Sequence, residues 1–353
     1  MATYSLPEIE SIYHKPLLEL IYEAATVHRS HHDPREVQMS TLVSIQTGGC
    51  PEDCAYCPQA ARYHTGLEKS NLMSYDEVHQ AANKAKEIGS SRLCMGAAWR
   101  NVKDDAQFDH VLGLVSMVND MGLEVCCTLG MVTENQAKKL ANAGLYAYNH
   151  NLDSSEEFYS EIISTRGYQD RLQTLENVGK ANISICSGGI IGMGEHATDR
   201  CKMLHTLSLL DPQPESVPIN ALVAVAGTPL ESQQPADSWE LIRMIATTRI
   251  VLPTVVVRLS AGRTEMSPET QALCFLAGAG SIFTGDKLLT TPNPDFNEDM
   301  HLLQTLGLNP RKAFKKPKPQ HQHEVDQNLV EKPRWSRPAH KIEKNELFSN
   351  TAK

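Results

Sequence analysis

The chain has 353 residues, 41% of them hydrophobic and 21% charged, a balance that allows a sizeable core and fits an ordinary soluble protein. Aromatic residues make up only 6%, which argues against a nucleic-acid binder that works by base stacking. The net charge is −9 but unevenly placed: residues 311–353 carry 11 Lys/Arg against 5 Asp/Glu, leaving the rest with 22 basic against 37 acidic side chains, a body unsuited to a phosphate backbone.

The first stretch, about 7–29, reads as a helical extension. It mixes Glu8, Glu10, Glu19 and Glu23 with apolar residues, so it has neither the basic start and apolar run of a secretory leader nor the acid-poor character of a transit peptide. No run of about 18 apolar residues follows, so no membrane span is expected, and a cytoplasmic location is. There the nine cysteines would stay reduced, and clustered ones read as metal-binding or catalytic rather than disulfide-bonded.

Eight β-rich runs then alternate with helical stretches: near 41–46, 92–97, 123–128, 145–151, 182–187, 217–222, 254–260 and 279–284. Ser74 with Glu77, Thr133 with Gln136 and Asp237 with Glu240 have the spacing of capping boxes. Ser267 before Pro268 reads as an N-cap with proline at the first helical position. Gly89, Gly122, Gly144 and Gly278 stand where helix ends are expected. Eight β/α units predict an α/β fold, a (β/α)8 TIM-type barrel, over residues 1–310 with the helical extension included. Residues 311–353, rich in Lys, Pro, Gln and His, read as a basic disordered tail. His321 and His323 within it read as part of a solvated polar tract rather than as metal ligands.

The loop after the first strand, residues 45–58, reads IQTGGCPEDCAYCP. Cys50, Cys54 and Cys57 can converge on one iron–sulfur cluster, and three ligands leave one iron of a cubane open to an exogenous group. A structural zinc site is the competing reading; it needs a fourth ligand, for which His64 is the nearby candidate.

Later strands carry a second polar series. Because side chains alternate along a strand, Glu124, Cys126 and Thr128 share one face and Val125 and Cys127 the other. Ser184 and Cys186 separate in the same way from Ile183 and Ile185, and Arg258 and Ser260 from Val257 and Leu259. With the apolar faces under the helices, Cys94, Cys126, Cys186 and Arg258 point into the barrel, while Cys127, Cys201 and Cys274 read as core residues. An inward arginine needs anionic partners. Gly192-x-Gly194-x-x-Ala197 matches a dinucleotide-binding fingerprint, but in the fifth of eight units and without the acidic strand end that should follow.

The C-x3-C-x2-C loop, with Tyr56 before its last cysteine, resembles the radical S-adenosylmethionine superfamily. The strings CMGAAWRN, YNHNLD, CSGGIIGMGE, ESVPINALV, VRLSAGR and LLTTPNP narrow the resemblance to the biotin synthase family, from about residue 12 to 310. That resemblance implies a [4Fe-4S] cluster on Cys50, Cys54 and Cys57, with S-adenosylmethionine chelating the open iron and being cleaved to a deoxyadenosyl radical. It implies a sacrificial [2Fe-2S] cluster on Cys94, Cys126, Cys186 and Arg258. It implies cofactor contacts at Tyr56, Asn151, Asp153, Gly192 and Glu195, and dethiobiotin contacts at Asn151, Asn220 and Thr290, with Thr291 beside it. Asp153 has a competing reading as a helix cap, and Asn220 as a satisfied core amide. The implied reaction is radical sulfur insertion converting dethiobiotin to biotin, the last step of biotin biosynthesis. The resemblance also implies reduced flavodoxin or ferredoxin as electron donor, the iron–sulfur assembly machinery and a homodimer as partners, with no nucleic acid and no membrane. The alternatives are a related radical enzyme without sulfur insertion, such as a hydrogenase-maturation or carbon-skeleton rearranging relative, and a non-catalytic electron-transfer protein.

Overall fold

The structure, a computed structural model, describes residues 4–285 and 287–313. The N-terminal extension is two helices rather than one, α1 (Leu6–Tyr13) and α2 (Leu17–His31). Pro16 stands between them as the N-cap of the second, where its missing N–H is harmless.

Then come β1 (Glu36–Gln46), α3 (Tyr75–Glu87), β2 (Arg92–Ala97), α4 (Ala106–Asp120), β3 (Glu124–Thr128), α5 (Glu134–Asn142) and β4 (Ala147–Asn149). The second half holds α6 (Glu156–Ile162), α7 (Tyr168–Lys180), β5 (Ser184–Cys186), β6 (Gly189–Ile191), α8 (Ala197–Leu209), β7 (Ser216–Ala221), α9 (Ser238–Val251) and β8 (Val256–Leu259). It ends with α10 (Pro268–Leu276), β9 (Ala279–Thr284), α11 (Phe296–Leu306) and β10 (Asn309–Pro310). Neighbouring strands pair in parallel, and β1 pairs with both β2 and β9, which closes the (β/α)8 barrel. The first two helices pack on α8 and α9.

The fifth stave departs from the predicted strand 182–187. It is two short strands, β5 and β6, because the chain passes too close to its neighbours for any side chain. A Cβ on Gly188 would lie 2.0 Å from the carbonyl oxygen of Pro218, and one on Gly189 2.2 Å from Met203 Sδ. The fourth strand is also shorter than 145–151, so Asn151 and Asp153 lie beyond its end.

Alternation sorts the barrel as the sequence implies. Leu93, Met95, Val125, Cys127, Val257 and Leu259 join the main apolar core, as do Cys201 and Cys274. Cys94 and Cys126 form a separate small cluster inside the barrel with Tyr146 and Ala147. The boxes at Ser74 and Thr133 form, and Ser267 caps α10 with Pro268 behind it. Asp237 caps α9, but Glu240 does not complete a box. Its carboxylate instead takes hydrogen bonds from Tyr13 and Arg200, tying α1 to α8 and α9. Gly89, Gly122, Gly144 and Gly278 follow helix C-caps with φ from +78° to +108°, a conformation other L-residues adopt only with strain.

After α11, β10 runs beside the start of β1 (Glu36 with Asn309, Val37 with Pro310). The Arg311 N–H donates to the Val37 carbonyl at 2.8 Å, so the first residue of the stretch that composition assigned to the tail bonds to β1. His321 and His323 lie outside the described residues.

Candidate active site

The three-cysteine loop leaves β1 at its C-terminal end, the end where barrel enzymes place their chemistry. Gly48 and Gly49 turn it with φ of +74° and +72°, and a Cβ on Gly48 would meet the Glu68 carbonyl oxygen at 2.8 Å. Backbone bonds from Cys50 N–H to Gln59 O (2.9 Å) and from Cys57 N–H to Cys54 O (2.9 Å) set its curl. A distant connection then clamps it: Asp53 accepts from the N–H groups of Ser164 (2.9 Å) and Thr165 (3.1 Å), between α6 and α7, and from both hydroxyls. Burial opposes the Asp53 charge, yet these hydrogen bonds hold its carboxyl down at about 2.

Burial pushes the Cys50 and Cys54 thiols up, and Cys57 up to about 12. Bare thiols here are therefore neutral, and any cluster must displace their protons. Arg166 Nη2 approaches Cys54 Sγ at 3.7 Å, and its buried Nε has no hydrogen-bond partner among the described residues. No three Cys, His, Asp or Glu groups among the described residues are placed to hold a single metal ion. Thiolates on separate irons of a cubane stand further apart than ligands of one ion. His64, the fourth ligand of the zinc reading, does not line the cavity at this loop. Three thiols beside a guanidinium thus fit an anionic iron–sulfur cluster.

Deeper in the barrel, Cys94 and Cys126 are register partners on β2 and β3. A hydrogen bond from the Cys126 thiol, against burial and with help from Arg258 and Arg92, holds the Cys94 thiol below its ordinary range. The same bond, with burial, drives Cys126 well up. Cys186 Sγ accepts from Asn149 Nδ2 at 3.3 Å. Arg258, 1% exposed, stacks its guanidinium 4.7 Å from the Phe283 ring centroid. Its Nε donates to Ser281 Oγ (3.0 Å), and Nη2 to Gln38 Oε1 (3.3 Å) and Ser40 Oγ (3.4 Å). All three partners are neutral. A buried guanidinium without an anion costs several kcal/mol, so this donor set also fits an anionic two-iron cluster.

Cys50, Cys54 and Cys57 and, from the deeper set, Cys94, Cys126 and Arg258 line one cavity of about 320 Å³. Its walls also include Tyr56, Asn151, Asp153, Asn220 and Thr290. Thr291 also lines it. Three residues singled out by the sequence do not. Cys186 is fully buried next to Asn149, which lines the cavity. Gly192 and Glu195 lie outside it: the Glu195 carboxylate accepts from Gly192 N–H (2.9 Å), Met193 N–H (2.8 Å) and Arg200 Nε (2.8 Å). Two amides of the turn before α8 are thus taken by the chain's own carboxylate.

Asp153 is not a cap either, since Ser155 caps α6. Asp153 adopts φ +69°, and its Oδ2 accepts from Tyr56 Oη (2.8 Å) and Arg171 Nη2 (2.5 Å). Burial opposes the Arg171 charge, and the Asp153 carboxylate overrides it. Asn151 Oδ1 accepts from Gly188 N–H at 3.2 Å. Asn220 Nδ2 donates to Gly189 O (3.0 Å) and its Oδ1 accepts from Ala261 N–H (3.2 Å). The asparagine is thus both a satisfied amide and a cavity wall.

Sequence reasoning missed Arg166, Arg171 and His150, all of which line the cavity. Arg171 could have been found, because it shares the buried face of α7 with Tyr168, Leu175 and Val178. Burial keeps His150 neutral.

A closed parallel barrel with three thiols in its first β/α loop and more thiols inside is the architecture of a radical S-adenosylmethionine enzyme. Family models agree: residues 44–207 match the Radical SAM superfamily, and 218–309 the Biotin and Thiamin Synthesis associated domain. The chain is 65% identical to the biotin synthase of Christiangramia forsetii over 98% of this chain and 96% of that one. It is 58% identical to the mitochondrial biotin synthase of Arabidopsis thaliana, over 87% and 82%. The chain belongs to the biotin synthase family, radical S-adenosylmethionine sulfurtransferases that convert dethiobiotin to biotin with a [4Fe-4S] and a [2Fe-2S] cluster. The FeFe-hydrogenase maturase HydG from Carboxydothermus hydrogenoformans shares the fold, with a TM-score of 0.76 and 16% identity over 87% of this chain and 76% of that one.

Proposed function

We propose that Cys50, Cys54 and Cys57 hold the [4Fe-4S] cluster and that Cys94, Cys126, Cys186 and Arg258 hold the [2Fe-2S] cluster, with dethiobiotin in the cavity between them. The observation that carries this reading is the single cavity lined by Cys50, Cys54 and Cys57 and by Cys94, Cys126 and Arg258. When bound, the clusters and S-adenosylmethionine supply the hydrogen-abstracting radical and the sulfur.

The chain's own residues bind and orient. Asp153, fixed by Tyr56 and Arg171, presents its free oxygen to the cofactor's ribose, and Asn151 stands beside it. Asn220 keeps a second N–H and a second lone pair for the cyclic urea after its backbone bonds are made. Thr290 and Thr291 close the mouth, while Leu42 and Phe283 keep water from the reacting carbons. Gly192 and Glu195 contribute by shaping the turn that follows Ile190, a wall residue. Reduced flavodoxin or ferredoxin fits as electron donor, the iron–sulfur assembly machinery as cluster source, the cytoplasm as compartment and a homodimer as assembly. No helix among the described residues is long and apolar enough to cross a membrane.

The test is anaerobic reconstitution with iron and sulfide counted beside dethiobiotin turnover. The wild type should hold about six irons, and Cys94→Ala about four, with S-adenosylmethionine cleavage kept and biotin lost. Undiminished biotin formation by Cys94→Ala would overturn the sulfur-donor assignment.

A further inference from the structure

The floor of the barrel, below the second cysteine set, holds a buried charge network that the reaction does not use. Glu124, on the same face of β3 as Cys126, accepts from Arg92 Nε (3.0 Å) and Nη2 (2.9 Å). Arg92 Nη2 also reaches Glu215 Oε1 (3.2 Å), which takes a hydrogen bond from Tyr146 Oη (3.1 Å). From outside the eight β/α units, Arg311 sends Nη2 to Glu124 Oε1 at 3.1 Å. It arrives there because β10 pairs with the start of β1 and because its own N–H is bonded to Val37. Its side chain is 13% exposed and that of Glu124 2%, so Arg311 covers the network from below.

Between Glu124 and Arg258 stands the side chain of Gln38. Gln38 Nε2 donates to Glu124 Oε2 at 2.9 Å, and Gln38 Oε1 accepts from Arg258 Nη2 at 3.3 Å. Chemistry fixes which way this amide faces. An ionised carboxylate only accepts and a guanidinium only donates, so the NH2 end must face Glu124 and the oxygen must face Arg258. Ser281 Oγ, which accepts from Arg258 Nε, also lies 3.4 Å from the same Gln38 oxygen. Arg258 is thereby held through Nε and Nη2, and Nη1 is the terminal nitrogen that no protein group among the described residues engages.

We propose that Arg311 is a positioning residue for Arg258, acting through Glu124 and Gln38, so that the strap after α11 sets the ligand geometry of the two-iron cluster. The proposal rests on the assignment of Arg258 as a ligand of that cluster. Arg311 shields Glu124 from water and fixes its oxygens, Glu124 orients the Gln38 amide, and Gln38 aims the guanidinium. Residues that hold a metal ligand from behind commonly change metal retention by about 10- to 100-fold when removed.

The test uses the full chain reconstituted anaerobically, as wild type, Arg311→Ala, Arg311→Lys, Gln38→Leu and Arg258→Leu. Mössbauer spectra separate two-iron from four-iron signal, a chelator challenge reads retention of each cluster, and thermal melting reports fold. Arg311→Ala and Gln38→Leu should lose the two-iron signal about 10-fold faster than wild type, with the four-iron signal and reductive S-adenosylmethionine cleavage unchanged. Arg311→Lys should recover part of the difference. A floor of purely structural importance would lower the melting temperature and leave two-iron retention and spectrum as in wild type, which overturns the proposal. If Arg311→Ala does not fold, Gln38→Leu decides alone. If Arg258→Leu also leaves the two-iron spectrum and retention unaltered, the ligand assignment falls. If Arg258→Leu alters them while Arg311→Ala and Gln38→Leu do not, only the relay falls.

Discussion

The Tyr56 hydroxyl donates to Asp153 at 2.8 Å, joining the residue before the third loop cysteine to the left-handed residue beyond β4. Arg171 meets the same carboxylate oxygen at 2.5 Å and is itself buried. Removing the carboxylate leaves a buried guanidinium without its anion, which costs about 3–5 kcal/mol. Asp153→Ala should therefore melt markedly lower and bind S-adenosylmethionine at least about 10-fold more weakly. Tyr56→Phe keeps the ion pair, so it should melt within about 1 kcal/mol of wild type and lose only cofactor affinity. Calorimetry and equilibrium binding check both, and an Asp153→Ala protein of wild-type stability would remove Asp153 from this role.

Asp53 gives the loop an acid limit. Its folded carboxyl is held at about 2 against an ordinary 3.8, so its contribution is fully present above about pH 4 and is lost as pH falls through about 2. Asp53→Asn should cost about 1–2 kcal/mol at neutral pH and flatten the stability change between pH 4 and 2. Unfolding of the metal-free chain by denaturant at stepped pH measures it. Identical acid limbs in the two proteins would contradict the clamp.

Gly188 is required by contact rather than by φ. A methyl group there would stand 2.0 Å from Pro218 O, and backbone cannot give that much without moving β7. Gly188→Ala should lose about 3 kcal/mol or more and expose the barrel to proteolysis. A folded Gly188→Ala barrel of near wild-type stability would show that β5, β6 and β7 can part cheaply.

Asn149 carries a prediction about charge. Its Nδ2 lies 3.3 Å from Cys186 Sγ, so Asn149→Asp replaces a donor with a carboxylate beside a proposed thiolate ligand. The substitution is nearly isosteric, costs the bonds to Asn151 Oδ1 (3.1 Å) and Cys186 O (3.3 Å), and should leave the four-iron cluster intact. It should reduce two-iron retention about 10-fold. Iron counting with Mössbauer spectroscopy decides, and unchanged two-iron content would place Cys186 outside the ligand set.

Much of the candidate site was legible before the structure. Strand parity put Cys94, Cys126 and Arg258 inside the barrel and Cys127 outside, because alternation is a local property of extended chain. The three-cysteine loop was legible because its donors lie within eight residues of one another. That Glu195 turns back onto Gly192 and Met193 was not legible, because a glycine-rich turn before a helix looks alike whether it receives a ligand or its own carboxylate.

By itself, then, the sequence determined the eight-unit rhythm, the first cysteine set and the inward faces of the third, fifth and seventh predicted strands, all consequences of spacing along one segment. Only the tertiary structure decided that Ser164 and Thr165 clamp Asp53, that Arg171 neutralises Asp153, and that Arg311 reaches Glu124 across 187 residues. The last of these contacts exists because β10 pairs with the start of β1, which brings Arg311 to the floor of the barrel where β3 begins with Glu124. No local periodicity encodes that meeting. It follows from chain closure and from the cost of leaving a buried charge unpaired.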